Sequence, residues 1–310
     1  MKTRQILTAF LMAFVSLTTI QAQNDTDKPY LTKTFSPAGL TSIKTETSGG
    51  NVSVYGQNSG DARIEVYIRA NNWNQKLSDS EIKERLEKYT IQIDKDANTL
   101  TAIAKPLESG WKWGWKDGLS ISFKIYVPNN ITSNLRTSGG NIHLSNLSGN
   151  QDAKTSGGNI SLSTIKGIVD AETSGGNIDI DRFNGTIDAQ TSGGNVKVAD
   201  SKGSLKIGTS GGNIRIAQVS GSLDAHTSGG NVTADISSLE KYLTLSTSGG
   251  NITVKMPMDK GMDLDLSGDR VSVAMQNFDG TIKDDRVKGK LNGGGIPVRI
   301  STSGGNVRIN

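Results

Sequence analysis

The sequence predicts an all-β fold: a single-stranded β-solenoid (β-helix) with 18-residue, two-strand rungs and a small helix-containing N-terminal cap. Three observations predict it. The pentapeptide Thr-Ser-Gly-Gly-Asn occurs nine times, starting at Thr47, Thr137, Thr155, Thr173, Thr191, Thr209, Thr227, Thr247 and Thr302. From Thr137 to Thr227 successive starts lie 18 residues apart, and the next step is 20. Aromatic residues make up only 5% of the chain while glycine reaches 37 residues, a composition suited to flat rungs with small corner residues rather than a core of large rings. The sequence leaves the handedness open, with the right-handed sense favoured.

Residues 1–22 read as an export signal. Lys2 and Arg4 precede an apolar stretch from Ile6 to Ile20, and Gln21-Ala22 supplies a small residue before a cut ahead of Gln23. The stretch is too short to span a bilayer comfortably, and no later segment is apolar enough to do so. The expected location is therefore outside the cytoplasm: periplasmic, cell-surface or secreted in a bacterium. The chain has no cysteine, which excludes disulfides, a thiolate nucleophile, a cysteine zinc site and a cysteine lipid anchor. The formal net charge of +4 falls to +2 without Lys2 and Arg4. Both signs are scattered, so there is no concentrated basic face for nucleic acid.

Residues 23–136 read as a β-rich cap. They hold one isolated copy of the pentapeptide at Thr47 and strand-like segments at 63–69, 90–94, 99–105 and 119–127. Ser78-Asp79-Ser80-Glu81 is a capping box. It opens a helix over 79–89 with Ile82, Leu86 and Tyr89 on one face.

Residues 137–254 are the regular array. In the unit from Thr173 to Gln190, Asn177-Ile178-Asp179-Ile180 alternates with period two, Asp181 to Gly185 turns, and Ile187-Asp188-Ala189-Gln190 alternates again. Inward positions are uniformly aliphatic and outward ones chemically mixed, as in a wall with one buried face. The Gly-Gly pair allows positive φ and close stacking of backbones. Asn141, Asn159, Asn177, Asn195, Asn213, Asn231 and Asn251 form the turn ladder, each amide placed to hydrogen-bond the same amide one rung away. Leu147, Ile165, Phe183 and Val219 plug a second corner, and Ser201 breaks that pattern. Residues 255–310 form C-terminal rungs and a cap, with the last strand expected on the preceding rung.

With these motifs the chain resembles the "putative adhesin" family of exported bacterial β-strand repeat proteins, whose domain is of unknown function. The carrying features are the iterated T-S-G-G-N-[IV]-x-[LIV], Val127-Pro128 before the array, and Asn292 to Gly295. The resemblance spans residues 34–310. It implies the architecture and, through the family's name, surface adhesion; it supplies no catalytic motif.

Trp111, Trp113 and Trp115 alternate in an extended segment and would share one face, suited to stacking on sugars or to covering an open rung. Asp152, Asp170, Asp188 and Asp224 occupy one column, but Lys206 interrupts it, so no metal is expected. His143 and His226 sit outward on different strands and read as surface residues. Asp179, Asp188, Lys197 and Arg215 are the nearest approach to a polysaccharide-cleaving cluster. The expected function is a non-catalytic structural or adhesive protein without a cofactor, whose partner is a protein or a cell-surface glycan. A carbohydrate-binding module using the three tryptophans is the alternative, and a polysaccharide-cleaving enzyme the second.

Overall fold

Strands form where aliphatic and polar residues alternate, and each Ser-Gly-Gly segment turns the chain between them. A computed structural model of the protein describes residues 28–72, 76–107 and 118–310. The expected export segment and the three-tryptophan motif lie outside the described residues. From the N-terminus come β1 (Leu31–Phe35), β2 (Ser42–Thr47), β3 (Val52–Gln57), β4 (Ala62–Ala70), helix α1 (Asp79–Leu86), β5 (Tyr89–Asp96), β6 (Thr99–Pro106), β7 (Leu119–Pro128) and β8 (Thr132–Thr137). The regular part comprises β9 (Ile142–Thr155), β10 (Ile160–Thr173), β11 (Ile178–Thr191), β12 (Val196–Ala199), β13 (Lys202–Thr209), β14 (Ile214–Thr227), β15 (Val232–Thr247) and β16 (Ile252–Lys255). Then follow β17 (Met262–Ser267), β18 (Arg270–Val273), β19 (Phe278–Ile282), β20 (Arg286–Leu291), β21 (Ile296–Thr302) and β22 (Asn306–Ile309).

The repeats stack in register. β10 pairs in parallel with β11, Ile160 against Ile178, Ala171 against Ala189 and Thr173 against Thr191. β9 lies on the other side of β10 with equivalent partners. Inward aliphatics therefore form continuous columns, among them Ile142, Ile160, Ile178, Val196, Ile214, Val232 and Ile252, all buried. Each such side chain contributes about 2 kcal/mol over its exposed state. One column is polar at its N-terminal end, where Gln151 and Ser133 take the positions next to Val169. Both are buried, and Ser133 donates to Gln151 Oε1 (2.6 Å) while Gln151 donates to the Ile131 carbonyl (2.7 Å). The pair is satisfied, which removes most of the cost of burying it.

The corner at each pentapeptide is held by two repeated contacts. Thr173 Oγ1 donates to the Gly158 carbonyl at 2.8 Å, as Thr155 does to Gly140 and Thr191 to Gly176. The backbone N–H of Asn177 donates to Asn159 Oδ1 at 2.7 Å, and the same bond recurs from Asn141 to Asn306. This differs from the expected amide-to-amide ladder: side-chain contacts between successive asparagines occur only as long bonds, such as Asn213 to Asn195 at 3.3 Å. The glycines also work differently from expectation. None of the pentapeptide glycines has positive φ. Instead the second glycine permits close approach, since a Cβ on Gly158 would lie 1.9 Å from the Gly140 oxygen. A Cβ on the first, Gly157, would have its nearest neighbour at 3.7 Å, an ordinary contact.

The second corner carries the positive φ angles. Asn146, Thr164 and Arg182 stand at φ 57°, 58° and 53°, and Gly185 follows at 147°. It is a bend within one continuous strand of 14 residues in β9, β10 and β11, not a turn between two strands. Only between β12 and β13 does the strand break. Leu147, Ile165, Phe183 and Val219 are buried in this bend. Ser201 stands in for them and is also buried; it donates to the Ala199 carbonyl (2.7 Å) and accepts from Phe183 N (3.2 Å).

At both ends spatial order departs from chain order. The Thr47 copy, isolated in sequence, lies directly on the Thr137 copy, with Ile43 to Thr47 of β2 beside β8 and Val52 to Tyr55 of β3 beside β9. β6 and β7, later in the chain, pack outside it. At the other end β21 and β22 return to sit between β15–β16 and β17–β18, so the last pentapeptide is an inner rung. Antiparallel strands then close the ends: β4 on β7, β1 on β4, β5 on β6, and β19–β20 on β17. Helix α1 has the expected capping box but ends at Leu86. Tyr89 belongs to β5 instead, where its hydroxyl accepts from Leu119 N at 2.8 Å.

A β-branched residue in the left-handed region is strained by about 1–2 kcal/mol, and asparagine tolerates it better. Thr164→Asn, which copies Asn146, is expected to raise unfolding stability by about 1 kcal/mol in a denaturant titration. An unchanged or lower midpoint would show that the second corner is not strained at Thr164.

Candidate interaction surface

With the inner columns and corners committed to the fold, variable chemistry is left on two outer walls. The strands leading into each Thr form one wall; the strands following each Asn form the other.

On the wall leading into Thr, charges pair across rungs. Arg136 donates through Nη1 to Asp152 Oδ1 at 2.9 Å and through Nη2 to Oδ2. Lys154 bridges Asp170 and Glu172, both at 3.0 Å, and these bonds hold its ammonium above the usual lysine range. Lys206 meets Asp188 at 2.8 Å. Burial pushes the Asp188 carboxyl up, but hydrogen bonds from Lys206 and Gln190 outweigh it and hold the carboxyl below its ordinary value. Three members of the aspartate column thus have a cation one rung away, and Asp224 stands in register with Lys206. Among the described residues no cluster of three or more His, Asp or Glu is placed to hold a metal.

On the wall following Asn, four side chains from four strands form a stack at the N-terminal end. The Arg63 guanidinium lies 4.2 Å from the Tyr126 ring centroid. Tyr126 and Tyr55 stack with centroids 5.4 Å apart and planes 24° from parallel. Tyr55 meets His143 at 5.4 Å, tilted by 50°. Glu65 anchors the stack, 2.9 Å from Arg63 Nε and accepting from the Tyr67 hydroxyl at 2.9 Å. Burial and then the Glu65 carboxylate push the Tyr67 phenol up to about 12. Sequence reasoning missed this stack because β7 pairs with β3 out of chain order and β4 then joins β7 antiparallel. The outward phase of Tyr55 and Tyr126 was the available signal.

The same wall carries Asp179, Lys197 and Arg215 on consecutive rungs. Asp188 projects from the other wall, so the four residues considered as a cleaving cluster do not converge. His143 and His226 also occupy different walls. The asparagines from Asn141 to Asn251 line the corner, exposed at their tips. Trp111, Trp113 and Trp115 fall in the chain between β6 and β7. They lie outside the described residues. A shallow groove of about 490 Å³ lies at the second corner where β3 leaves the ladder, lined by Asn58, Asn129, Asn146 and Thr164 among others.

Burial lowers the His143 pKa below the ordinary imidazole value of 6.5. The unfolded chain then binds the proton more readily than the folded one, so stability falls as pH drops through 6.5 towards the folded value and levels off below it. Urea unfolding of the wild type and His143→Gln across that acid range is expected to show the wild type losing stability relative to the variant. Parallel curves would remove the desolvated imidazole from the account.

Residues 184–310 match the family model described as Toastrack DUF4097. No curated protein matches the chain. Among solved structures, a "putative adhesin" from Parabacteroides distasonis aligns at 16% identity over 91% of this chain and 98% of its own, with a TM-score of 0.49. A "putative adhesin" from Bacteroides fragilis aligns at 15% identity over 90% and 96%, with a TM-score of 0.46. A "putative lipid binding protein" from Parabacteroides distasonis aligns at 16% identity over 92% and 98%, with a TM-score of 0.44. The Toastrack DUF4097 similarity runs from the middle of β11 to Asn310.

Proposed function

We propose that the protein is an exported, non-catalytic, adhesion-type rod: a right-handed solenoid of 18-residue rungs whose outer walls engage a protein or glycan at the bacterial surface. One observation supports this most. Nine pentapeptide copies are used up in corner contacts, and the aliphatic columns in the core, so the outward positions vary freely from rung to rung. Such a division suits a scaffold that presents side chains at fixed spacing. Catalysis is not part of the proposal, because Asp188 lies on the other wall from Asp179, Lys197 and Arg215. A second reading is carbohydrate recognition by Trp111, Trp113 and Trp115, whose alternation in the sequence would set three indoles on one face of an extended segment.

Mass spectrometry of the chain recovered from its own cells should give a mature N-terminus at Gln23. Protease added to intact cells should remove the protein, and beads coated with the mature chain should adhere to cells. An uncleaved cytoplasmic chain, or coated beads that bind no better than bare ones, would overturn the proposal. Adhesion that is lost only on replacing the three tryptophans with alanine would transfer the role to the second reading.

A further inference from the structure

The wall following Asn carries a line of cations and hydroxyls, with Asp179 in register beside Lys197 at one end but not ion-paired to it. Lys197 is in register with Arg215, Arg215 with Thr233, Thr233 with Thr253, and Thr253 with Arg308. All five project outward, since their neighbours Val196, Val198, Ile214, Ile216, Val232, Ile252, Val307 and Ile309 are buried in the core. Strands lie about 4.8 Å apart, so the line runs for roughly 19 Å along the rod. Its floor is low: Ala199 and Ala217 occupy the next outward positions beside Lys197 and Arg215. Among the described residues Lys197, Arg215 and Arg308 make no ion pair. On the other wall, by contrast, Arg136, Lys154 and Lys206 are each bound to carboxylates. Two adjacent like charges repel, and without an ion pair to either they are available to an anionic ligand.

We propose that this line is a binding track for an acidic polysaccharide, a chain of uronate sugars lying along the rod axis. The inference rests on the adhesive reading above and names its ligand. Carboxylates recurring along a polymer would meet Lys197, Arg215 and Arg308, with Arg215 and Arg308 offering the planar fork that binds a carboxylate through two hydrogen bonds. Thr233 and Thr253 between them supply hydroxyls for the sugar hydroxyls. Single-stranded nucleic acid is disfavoured because such sites use aromatic platforms for the bases, and no aromatic residue stands on this line. A neutral glycan would likewise want an aromatic face. A membrane would want apolar side chains beside the cations, and alanine supplies almost none.

The test uses the mature full-length chain and oligogalacturonate, titrated calorimetrically at low and high salt. The neutral methyl ester, single-stranded DNA and anionic phospholipid vesicles serve as competitors of other classes. Oligogalacturonate should bind with a logarithmic salt slope of about −2, as for three neutralised charges on a single-stranded polyanion. Lys197→Ala with Arg215→Ala should weaken it about tenfold or more, with thermal unfolding unchanged because both side chains are exposed. Lys44→Ala, an exposed lysine on the other wall, should leave affinity unchanged. Equal binding of the methyl ester, DNA or vesicles, or an equal loss in Lys44→Ala, would overturn the track. If oligogalacturonate does not bind while coated beads still adhere to cells, the ligand class falls and the adhesive reading stands. If neither occurs, both fall.

Discussion

The whole ladder depends on how closely the second glycine of each pentapeptide approaches the backbone of the rung before. With a Cβ at Gly176 only 1.9 Å from the Gly158 oxygen, no other residue fits without moving the corner. That approach brings the Thr hydroxyl within reach of the preceding glycine carbonyl and the Asn N–H onto the preceding Asn Oδ1. Once the corners are in register, the strands on either side pair residue for residue. Each inward isoleucine or valine then lies over its equivalent, and hydrophobic burial follows from a steric condition set at the corner. A slip by one residue would turn every aliphatic side chain outward.

A ladder this regular has ends that could keep growing, and the chain treats both in the same way. At each end a rung without the pentapeptide lies outermost, and a pentapeptide-bearing rung from another part of the chain is slotted inside it. At the N-terminal end Ser122 substitutes for the missing asparagine and accepts from Asn51 N at 2.9 Å, while Thr47 donates to the Ile121 carbonyl. At the C-terminal end the Asp284–Asp285 turn covers the start of β18, where Val271 N donates to Asp284 O at 2.7 Å. The ammonium of Lys33 donates to the Ile93 carbonyl of the edge strand β5 at 2.9 Å. Reversed strands, charged turns and lysine contacts all make an exposed edge a poor template for another chain.

Much of this was legible in the sequence because the repeat converts three-dimensional contact into a fixed sequence interval. The inward columns and the corner plugs follow from phase, whereas Ser201 showed only as a break in the plugs. What the sequence hid has physical causes. Positive φ moved from Gly175-Gly176 to Arg182 and Gly185 because the pentapeptide glycines are selected for approach and not for backbone freedom. The placement of β6–β7 outside β2–β3, and of β21–β22 inside β17–β18, left no trace in local periodicity, since strands that skip a rung alternate like those that do not. The Arg63–Tyr126–Tyr55–His143 stack was hidden for the same reason. The line from Lys197 to Arg308 looked like random surface until register placed Arg308 beside Thr253, 55 positions earlier in the chain.

The steric claim can be tested at a single rung by comparing two neighbouring alanine substitutions. Thermal or denaturant unfolding of Gly175→Ala should stay within about 1 kcal/mol of the wild type, because its added methyl meets only ordinary contacts. Gly176→Ala should lose several kcal/mol or fail to fold, with amide exchange rising first at the corners on either side, as overpacking against backbone demands. Equal effects of the two substitutions, or a harmless Gly176→Ala, would contradict the account that glycine approach sets the register of the rod.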